Sequence, residues 1–373
     1  MRLRNMALSD FIDYVKDKEI LCFGGGKLLR RLCSRADVKL NIKAVFDNDK
    51  EKHGKMLICE KQSFKIYSWK KLNDFPLIAG KTVIVISAGI TGVGRHLYEE
   101  LVKRNLPSEV ECFFLSFVFA EIGSIETVEQ SIEFRLSPIP LIPRYIHYCW
   151  FGGNEIPEEQ QKFIQGWKEK CPSFEVIRWD ESNYDVKKNK YMKRAYEEKR
   201  WGFVPDYARK DIIYRYGGIY LDTDVEIIRN MDALLYQKGF AGKQLDDCVN
   251  FGLGFGAAPG LDIMAEMCEE YEKEEFSFSD GMSMRIGPDY ETEILKKYGY
   301  DADKGLQMVA GLTIYPAEVL SGTMAYSKKP FITGNTFSVH HFAGSWTTGK
   351  RKAMHEKVVE FYKTVIESEF NSK

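Results

Sequence analysis

Apolar and polar residues follow two periods along this chain, and the first third alternates between them. Glu19–Phe23 is apolar from Ile20 onward and stops at Gly24-Gly25-Gly26, after which Leu28, Leu29, Leu32 and Cys33 recur at helical spacing. Asn41–Phe46 predicts a second strand, closed by Asp47-Asn48-Asp49. Thr82–Ser87 predicts a third, followed by a helix bearing Leu97, Leu101 and Val102, and Glu111–Leu115 a fourth. Strands alternating with helices predict a parallel sheet covered on both faces. Between Ser124 and Pro143 the prolines at 138, 140 and 143 oppose a helix and favour an extended connector. This places a boundary near residue 135, with modules at 1–135 and 136–373.

The second module opens with a strand, Tyr145–Phe151, broken by Gly152-Gly153. Its most informative stretch is Val204–Ile228. Pro205 and Asp206 suit a helix start, where a missing N–H costs nothing and a carboxylate faces the helix dipole. Asp206 and Arg209 share a helix face, Ile212, Ile213 and Tyr216 form an apolar stripe, and Gly217-Gly218 suits the stop. The period then changes to two. Ile219, Leu221, Val225 and Ile227 alternate with Tyr220, Asp222, Asp224 and Glu226, which predicts one strand with both aspartates on one face, roughly 7 Å apart at Cα. Lys350–Phe370 reads as a closing helix with Val358, Val359, Phe361, Tyr362, Val365 and Ile366 inward. Its basic start, Lys350 to Lys352, also suits peripheral contact with an anionic membrane.

At 373 residues, 44% hydrophobic and 29% charged, the composition is that of a folded two-domain protein rather than a disordered one. A net charge of -1 lacks the basic excess of a nucleic-acid binder. No apolar run approaches the roughly 18 residues of a membrane span, and the N-terminal stretch, interrupted by Asp10, Asp13 and Asp17, lacks the apolar segment of a signal peptide. The eight cysteines form no CxxC pair and read as buried thiols of a reducing compartment, so the expected location is cytoplasmic, with peripheral association at the inner face of the plasma membrane.

A buried row of carboxylates needs positive charge, and hard oxygen ligands favour Mg²⁺ or Mn²⁺. Three Asp-x-Asp triplets occur, at 47/49, 222/224 and 301/303. Only the middle one follows a glycine pair and a helix with Asp206 and Arg209. In the first module Gly24 and Gly26, with Asp47 about 20 residues on, outline a dinucleotide site, in which the glycines admit a phosphate and Asp47 accepts ribose hydroxyls. Leu29 replaces the third glycine, and the same turn is also a simple way to enter a helix. Trp150, at the end of its strand, suits either base stacking or the core.

The string Asp206-Tyr-Ala-Arg209 with Tyr216-Gly-Gly-Ile-Tyr-Leu-Asp222-Thr-Asp224 resembles glycosyltransferase family 32, the DXD sugar transferases related to the catalytic core of the large clostridial glucosylating toxins. IPRYIHYCWFGG (142–153), VIRWDESNYD (176–185) and HHFAGSW (340–346) extend the resemblance over roughly residues 140–350. It implies a GT-A fold, a nucleotide-sugar donor, Mn²⁺ or Mg²⁺, and retention of anomeric configuration. By position, Trp150 would lie against the base. Asp206 and Arg209 would hold the donor's ribose and sugar, and Asp222 would contact hydroxyls of either. Asp224 and one of His340 and His341 would bind metal. Alternation along a strand prevents both histidines from facing it, and His340 is favoured. Ser345 and Trp346 would close over the diphosphate, and Asn250 and Gly287-Pro288 resemble donor- and acceptor-side loops. The segments VFDND (45–49) and VIVIS (83–87) resemble a small Rossmann-like module attached to bacterial polysaccharide-synthesis enzymes.

These resemblances imply hexose transfer from a nucleoside-diphosphate sugar, UDP-sugar favoured, to an oligosaccharide or lipid-linked glycan in capsule, exopolysaccharide or lipopolysaccharide synthesis. Two other readings remain. In a haloacid-dehalogenase-like phosphatase, YLDTDVE (220–226) would be the nucleophile strand, but no downstream acidic pair supports that class. The other is a catalytically silent nucleotide-sugar-binding module.

Overall fold

The computed structural model describes residues 1–373 apart from 60–61, 90–93, 105, 122–130, 246–247, 278–284, 303, 325–329, 345–348 and 371–373, with backbone alone at 349–352, 354–355 and 366–370. The chain divides into two units. One comprises Met1–Ile125, Met324–Ser327 and Ala353–Lys373, the other Glu126–Thr323 and Lys328–Lys352.

The first unit runs β1 (Arg2–Arg4), α1 (Leu8–Val15), β2 (Glu19–Phe23), α2 (Lys27–Arg35), β3 (Ile42–Asp47), β4 (Met56–Cys59), β5 (Gln62–Ser68), β6 (Thr82–Ile86), α3 (Arg95–Lys103), β7 (Glu111–Phe114) and α4 (Leu115–Val118). Its sheet has the order β1-β7-β6-β2-β3-β5-β4, parallel throughout except for the edge strand β4. β6 is buried along its whole length, the pattern of a strand covered on both faces. Leu8, Phe11, Leu29, Leu32 and Val118 cover one face. Leu97 and Leu101 of α3 cover the other, joined by Val358, Tyr362 and Val365 of the C-terminal helix Gly349–Phe370. Its place in the sequence predicts that this helix belongs to the second module, but Ala353–Lys373 falls in the first unit. There Phe361 meets Phe114 edge-on at 5.7 Å, and the Tyr362 hydroxyl donates to Glu121 at 2.8 Å. An amphipathic helix specifies that one face must be covered, not which sheet covers it.

The second unit runs β8 (Tyr145–Cys149), α5 (Glu158–Lys170), β9 (Glu175–Trp179), α6 (Lys190–Glu197), α7 (Pro205–Tyr216), β10 (Gly218–Tyr220), β11 (Val225–Ile227), β12 (Gly239–Gly242), β13 (Phe255–Ala257), α8 (Asp262–Lys273), α9 (Gly287–Lys297), β14 (Gln307–Val309), β15 (Leu312–Tyr315), α10 (Ala317–Leu320) and β16 (Ser338–His340). Its main sheet has the order β14-β15-β12-β13-β10-β8-β9, mixed in direction, with β9, β8 and β10 parallel. The α/β class expected from the sequence is therefore the class observed. All eight cysteines are buried, and none of them is in a disulfide.

The strand expected over 219–227 is in fact two strands. β10 ends at Tyr220 in the main sheet, and β11 pairs antiparallel with β16 in a separate two-stranded sheet. A turn joins them, closed by the Val225 amide on the Asp222 carbonyl at 3.1 Å.

Candidate active site

Helix α7 builds one wall of the site. Residues 206–213 are all buried, four of them charged, so each charge must find a partner inside the protein. The Asp206 carboxylate accepts from Arg209 Nη2 at 2.8 Å and from the Tyr191 hydroxyl at 3.4 Å. Lys210 Nζ reaches Glu291 Oε1 at 2.8 Å, and Asp211 is met by Tyr184 and Lys188. Burial pushes Asp206 up to about 6, against the opposing pull of Arg209 and Lys210. Burial alone would depress the Arg209 guanidinium, but Asp222, Tyr220 and Asp206 outweigh it and hold the group well above its ordinary value. Tyr216, expected on the apolar stripe, is exposed and stacks on Trp179 at 5.3 Å.

Gly217 ends α7 at φ 65°, where a Cβ would stand 2.7 Å from Pro259 Cδ. Only glycine meets both conditions. Its carbonyl accepts from His147 Nε2 at 2.9 Å, while Trp179 Nε1 donates to His147 Nδ1 at 3.1 Å. Both imidazole nitrogens are thus used, and burial pushes His147 down to about 4. This neutral brace fixes the turn that sends β10 alongside β8.

The cluster forms where β10 leaves the sheet. Ligand atoms of Asp222, Asp224 and His340 all lie within 4.8 Å of one another. Arg209 Nη1 stands 3.6 Å from Asp222 Oδ1. Burial raises the Asp222 carboxyl; Arg209 opposes this and Asp224 adds to it. Thr223, between the two aspartates, is turned away and donates to Gln160 at 2.7 Å. The register sets Val225 opposite His340, and residues 340–343 wrap Asp224. His340 Nε2 lies 3.3 Å from Asp224 Oδ1, the Ala343 amide donates to Asp224 Oδ2 at 2.8 Å, and the His341 amide donates to the Asp224 carbonyl at 3.0 Å. Phe342 sits at φ 48°, a strained position for a bulky residue. Its amide donates to His340 Nδ1 at 3.1 Å.

The two histidines separate. His341 faces away, 2.9 Å from Glu226 Oε2, with its ring stacked on Phe163 at 4.6 Å. Trp150, half-buried at the end of β8, donates to the Asn154 carbonyl at 2.7 Å. Asn250 caps its own loop, accepting from the Gly252 amide at 2.7 Å and donating to Gln244 at 2.9 Å. Sequence reasoning singled out Asn250 in NFGLGFGAAPG, but Gly252 is the residue against the site: a Cβ there would stand 2.5 Å from Asp222 Oδ2. Gly287 lies beside Asp206, where a Cβ would be 3.2 Å from Oδ1. Ser345 and Trp346 lie outside the described residues.

In the first unit, Gly24 and Asp47 are accounted for by the fold. A Cβ on Gly24 would stand 2.7 Å from the Ala88 nitrogen. Burial would raise Asp47, but the Asp49 and Gly25 amides and Lys52 outweigh it and lower its pKa. Asp47 Oδ2 accepts from the Gly25 amide at 3.0 Å. Gly26 has open space around it.

A carboxylate pair and an imidazole stand together where strand β10 leaves a sheet, with an arginine beside them, a grouping that could hold a metal ion. Residues 157–241 match the family described as a glycosyltransferase sugar-binding region containing the DXD motif. That region carries Asp206, Arg209, Asp222 and Asp224, so the sequence resemblance holds there. Two curated relatives from Schizosaccharomyces pombe are similar over part of the chain. Inositol phosphoceramide mannosyltransferase 3 is 36% identical over 103 residues, covering 26% of this chain and 28% of the relative. Inositol phosphoceramide mannosyltransferase 1 is 32% identical over 114 residues, covering 26% and 33%. The match thus spans no more than a third of either relative. Two solved structures are similar at low identity. The PaToxG glycosyltransferase has a TM-score of 0.37 and 17% identity, covering 44% of this chain and 72% of that one. A glycosyltransferase involved in glycosylation of the major capsid of PBCV-1 has a TM-score of 0.31 and 11% identity, covering 58% and 100%.

Proposed function

We propose that the chain is a metal-dependent GT-A glycosyltransferase that moves a hexose from a nucleoside-diphosphate sugar, with UDP-sugar the favoured donor, to a glycan hydroxyl. The observation that carries this reading is the convergence of Asp222, Asp224 and His340, with Arg209 linked to both Asp206 and Asp222. The donor set fits Mn²⁺ or Mg²⁺: two hard carboxylates crowd each other and one imidazole nitrogen faces them. Bound there, such an ion would supply Lewis-acid neutralisation of a diphosphate.

The chain's own groups supply the rest. Arg209 holds positive charge against Asp222 in a buried setting, where it stabilises a departing nucleoside diphosphate more strongly than water would. Asp206, fixed by Arg209 and Tyr191, accepts donor hydroxyls. His340 serves as a ligand only as a neutral ring. Its Nδ1 accepts the Phe342 amide, the arrangement of a ring protonated on Nε2, so holding a metal through Nε2 would need the other neutral tautomer, with the proton on Nδ1 and the Phe342 contact opened. Transfer with retention follows if the acceptor hydroxyl attacks from the side the diphosphate leaves. The mannosyl transfer in the names of the two relatives makes mannose one hexose to test, alongside glucose and galactose.

A haloacid-dehalogenase-type phosphatase is disfavoured because it leaves unexplained His340, which converges with Asp222 and Asp224. Calorimetric titration with UDP- and GDP-sugars, with and without Mn²⁺, tests the proposal. The parent is expected to bind a donor only with metal, and Asp224→Ala to lose that binding at least 100-fold. Metal-independent donor binding, or an unaffected Asp224→Ala variant, would remove the basis of the assignment.

A further inference from the structure

We propose that Lys210 and Glu291 are a positioning pair that seats the 250–252 loop against Asp222 and so sets the donor site without touching the donor. The inference rests on the reading of Asp222, Asp224 and His340 as that site.

The Lys210 and Glu291 side chains are 0% and 1% exposed, with Nζ and Oε1 2.8 Å apart. Neither group spends its remaining capacity within the core alone. Lys210 Nζ also donates to the Asp206 carbonyl at 2.9 Å, in the first turn of α7. Glu291 Oε2 accepts the Phe251 amide at 2.8 Å. The next residue of α9, Thr292, accepts the Val249 amide on its hydroxyl at 3.0 Å, and the Phe251 ring lies 5.5 Å from Lys210 Nζ. One ion pair thus joins the turn that holds Asp206 and Arg209 to the loop that ends at Gly252. The loop fits tightly, since a Cβ at Gly252 would be 2.5 Å from Asp222 Oδ2 and 3.3 Å from Arg209 Nη1. A shift of about an ångström there is enough to cost catalysis on the order of 100-fold.

A purely structural role accounts poorly for this arrangement. Buried ion pairs add little net stability over well-packed apolar side chains of similar volume, because both charges must be desolvated. What an apolar pair could not do is hold the Phe251 amide and the Asp206 carbonyl in register.

The test uses Lys210→Met, Glu291→Gln and the double variant Lys210→Met/Glu291→Leu, each measured for melting temperature, kcat and KM for Mn²⁺-dependent hydrolysis of the UDP- or GDP-sugar that the parent binds in the titration, and hydrogen exchange at the Phe251 amide. Lys210→Met strands a buried carboxylate and is expected to melt about 10 °C lower. The double variant is expected to regain at least half of that loss, yet to show a donor KM raised tenfold or more, with kcat falling less and Phe251 exchanging faster. Glu291→Gln keeps an acceptor for Phe251 and is expected to sit between. Parental KM and parental Phe251 exchange in the stability-restored double variant would overturn the proposal. If the double variant does not fold, unchanged Phe251 exchange and KM in Glu291→Gln would overturn it instead. An inactive parent would count against the donor-site reading, and the Phe251 amide would still show whether the pair holds the loop.

Discussion

Gly252→Ala offers the sharpest test of the site, because the size of its effect can be worked out from distances. The new methyl would stand 2.5 Å from Asp222 Oδ2, whereas ordinary contact begins at 3.4 Å, so the two must separate by about 0.9 Å. Asn250 Oδ1 at 3.0 Å and Arg209 Nη1 at 3.3 Å leave the methyl no easy way aside. The carboxylate therefore moves, and a displacement near 1 Å at a reacting centre costs about 100-fold, or roughly 2.7 kcal/mol. The backbone is not the obstacle, since Gly252 is absent from the positive-φ positions. Loss of chain entropy in the unfolded state would favour alanine by about 0.4–1 kcal/mol, offsetting part of the crowding. The expected result is kcat/KM for metal-dependent nucleoside-diphosphate release down about 100-fold, with a melting temperature within a few degrees of the parent. A folded variant with parental kcat/KM would show that catalysis does not depend on where the Asp222 carboxylate sits.

Other outcomes are equally open to measurement. His340→Ala should abolish metal-dependent turnover, while His341→Ala, which loses only Glu226 and the Phe163 stack, should stay within about threefold; equal losses would contradict the division of labour. Arg209→Lys gives one ammonium to serve Asp206 and Asp222, and should lower kcat/KM at least tenfold and reduce thermal stability, because Asp206 stays buried. His147 is held near pKa 4 against an unfolded value near 6.5, so its contribution is present above pH 6.5 and lost as pH falls towards 4. Between pH 7 and pH 4.5 the parent should therefore lose about 2 kcal/mol more stability than His147→Asn, read from urea midpoints; identical pH slopes would rule out a buried neutral imidazole.

Much of the site was legible in the residues themselves. Pro205 and Gly217 bound α7 where a missing N–H is tolerated and a left-handed turn is required, and the Asp206–Arg209 spacing put both on one face. Alternation was also enough to separate His340 from His341. The roles of Trp150 and Asn250 were less accessible: Trp150 bonds to the Asn154 carbonyl and Asn250 to its own loop, and neither partner leaves a periodic signal. Gly252 left a faint one, as the first of three glycines at alternate positions, 252, 254 and 256.

What the sequence by itself determined was local: helix ends, the faces of strands, and which carboxylates could lie together. The tertiary structure alone decided that Ile219–Ile227 breaks into two strands, because alternation encodes the face a side chain takes and not the neighbour its backbone pairs with. β10 pairs with β8 and β13, whereas β11 pairs with β16 from far along the chain. The same holds for Lys210 and Glu291, 81 residues apart, and for the closing helix: their partners are set by which surfaces meet once the chain has folded, and no nearby residue records that choice.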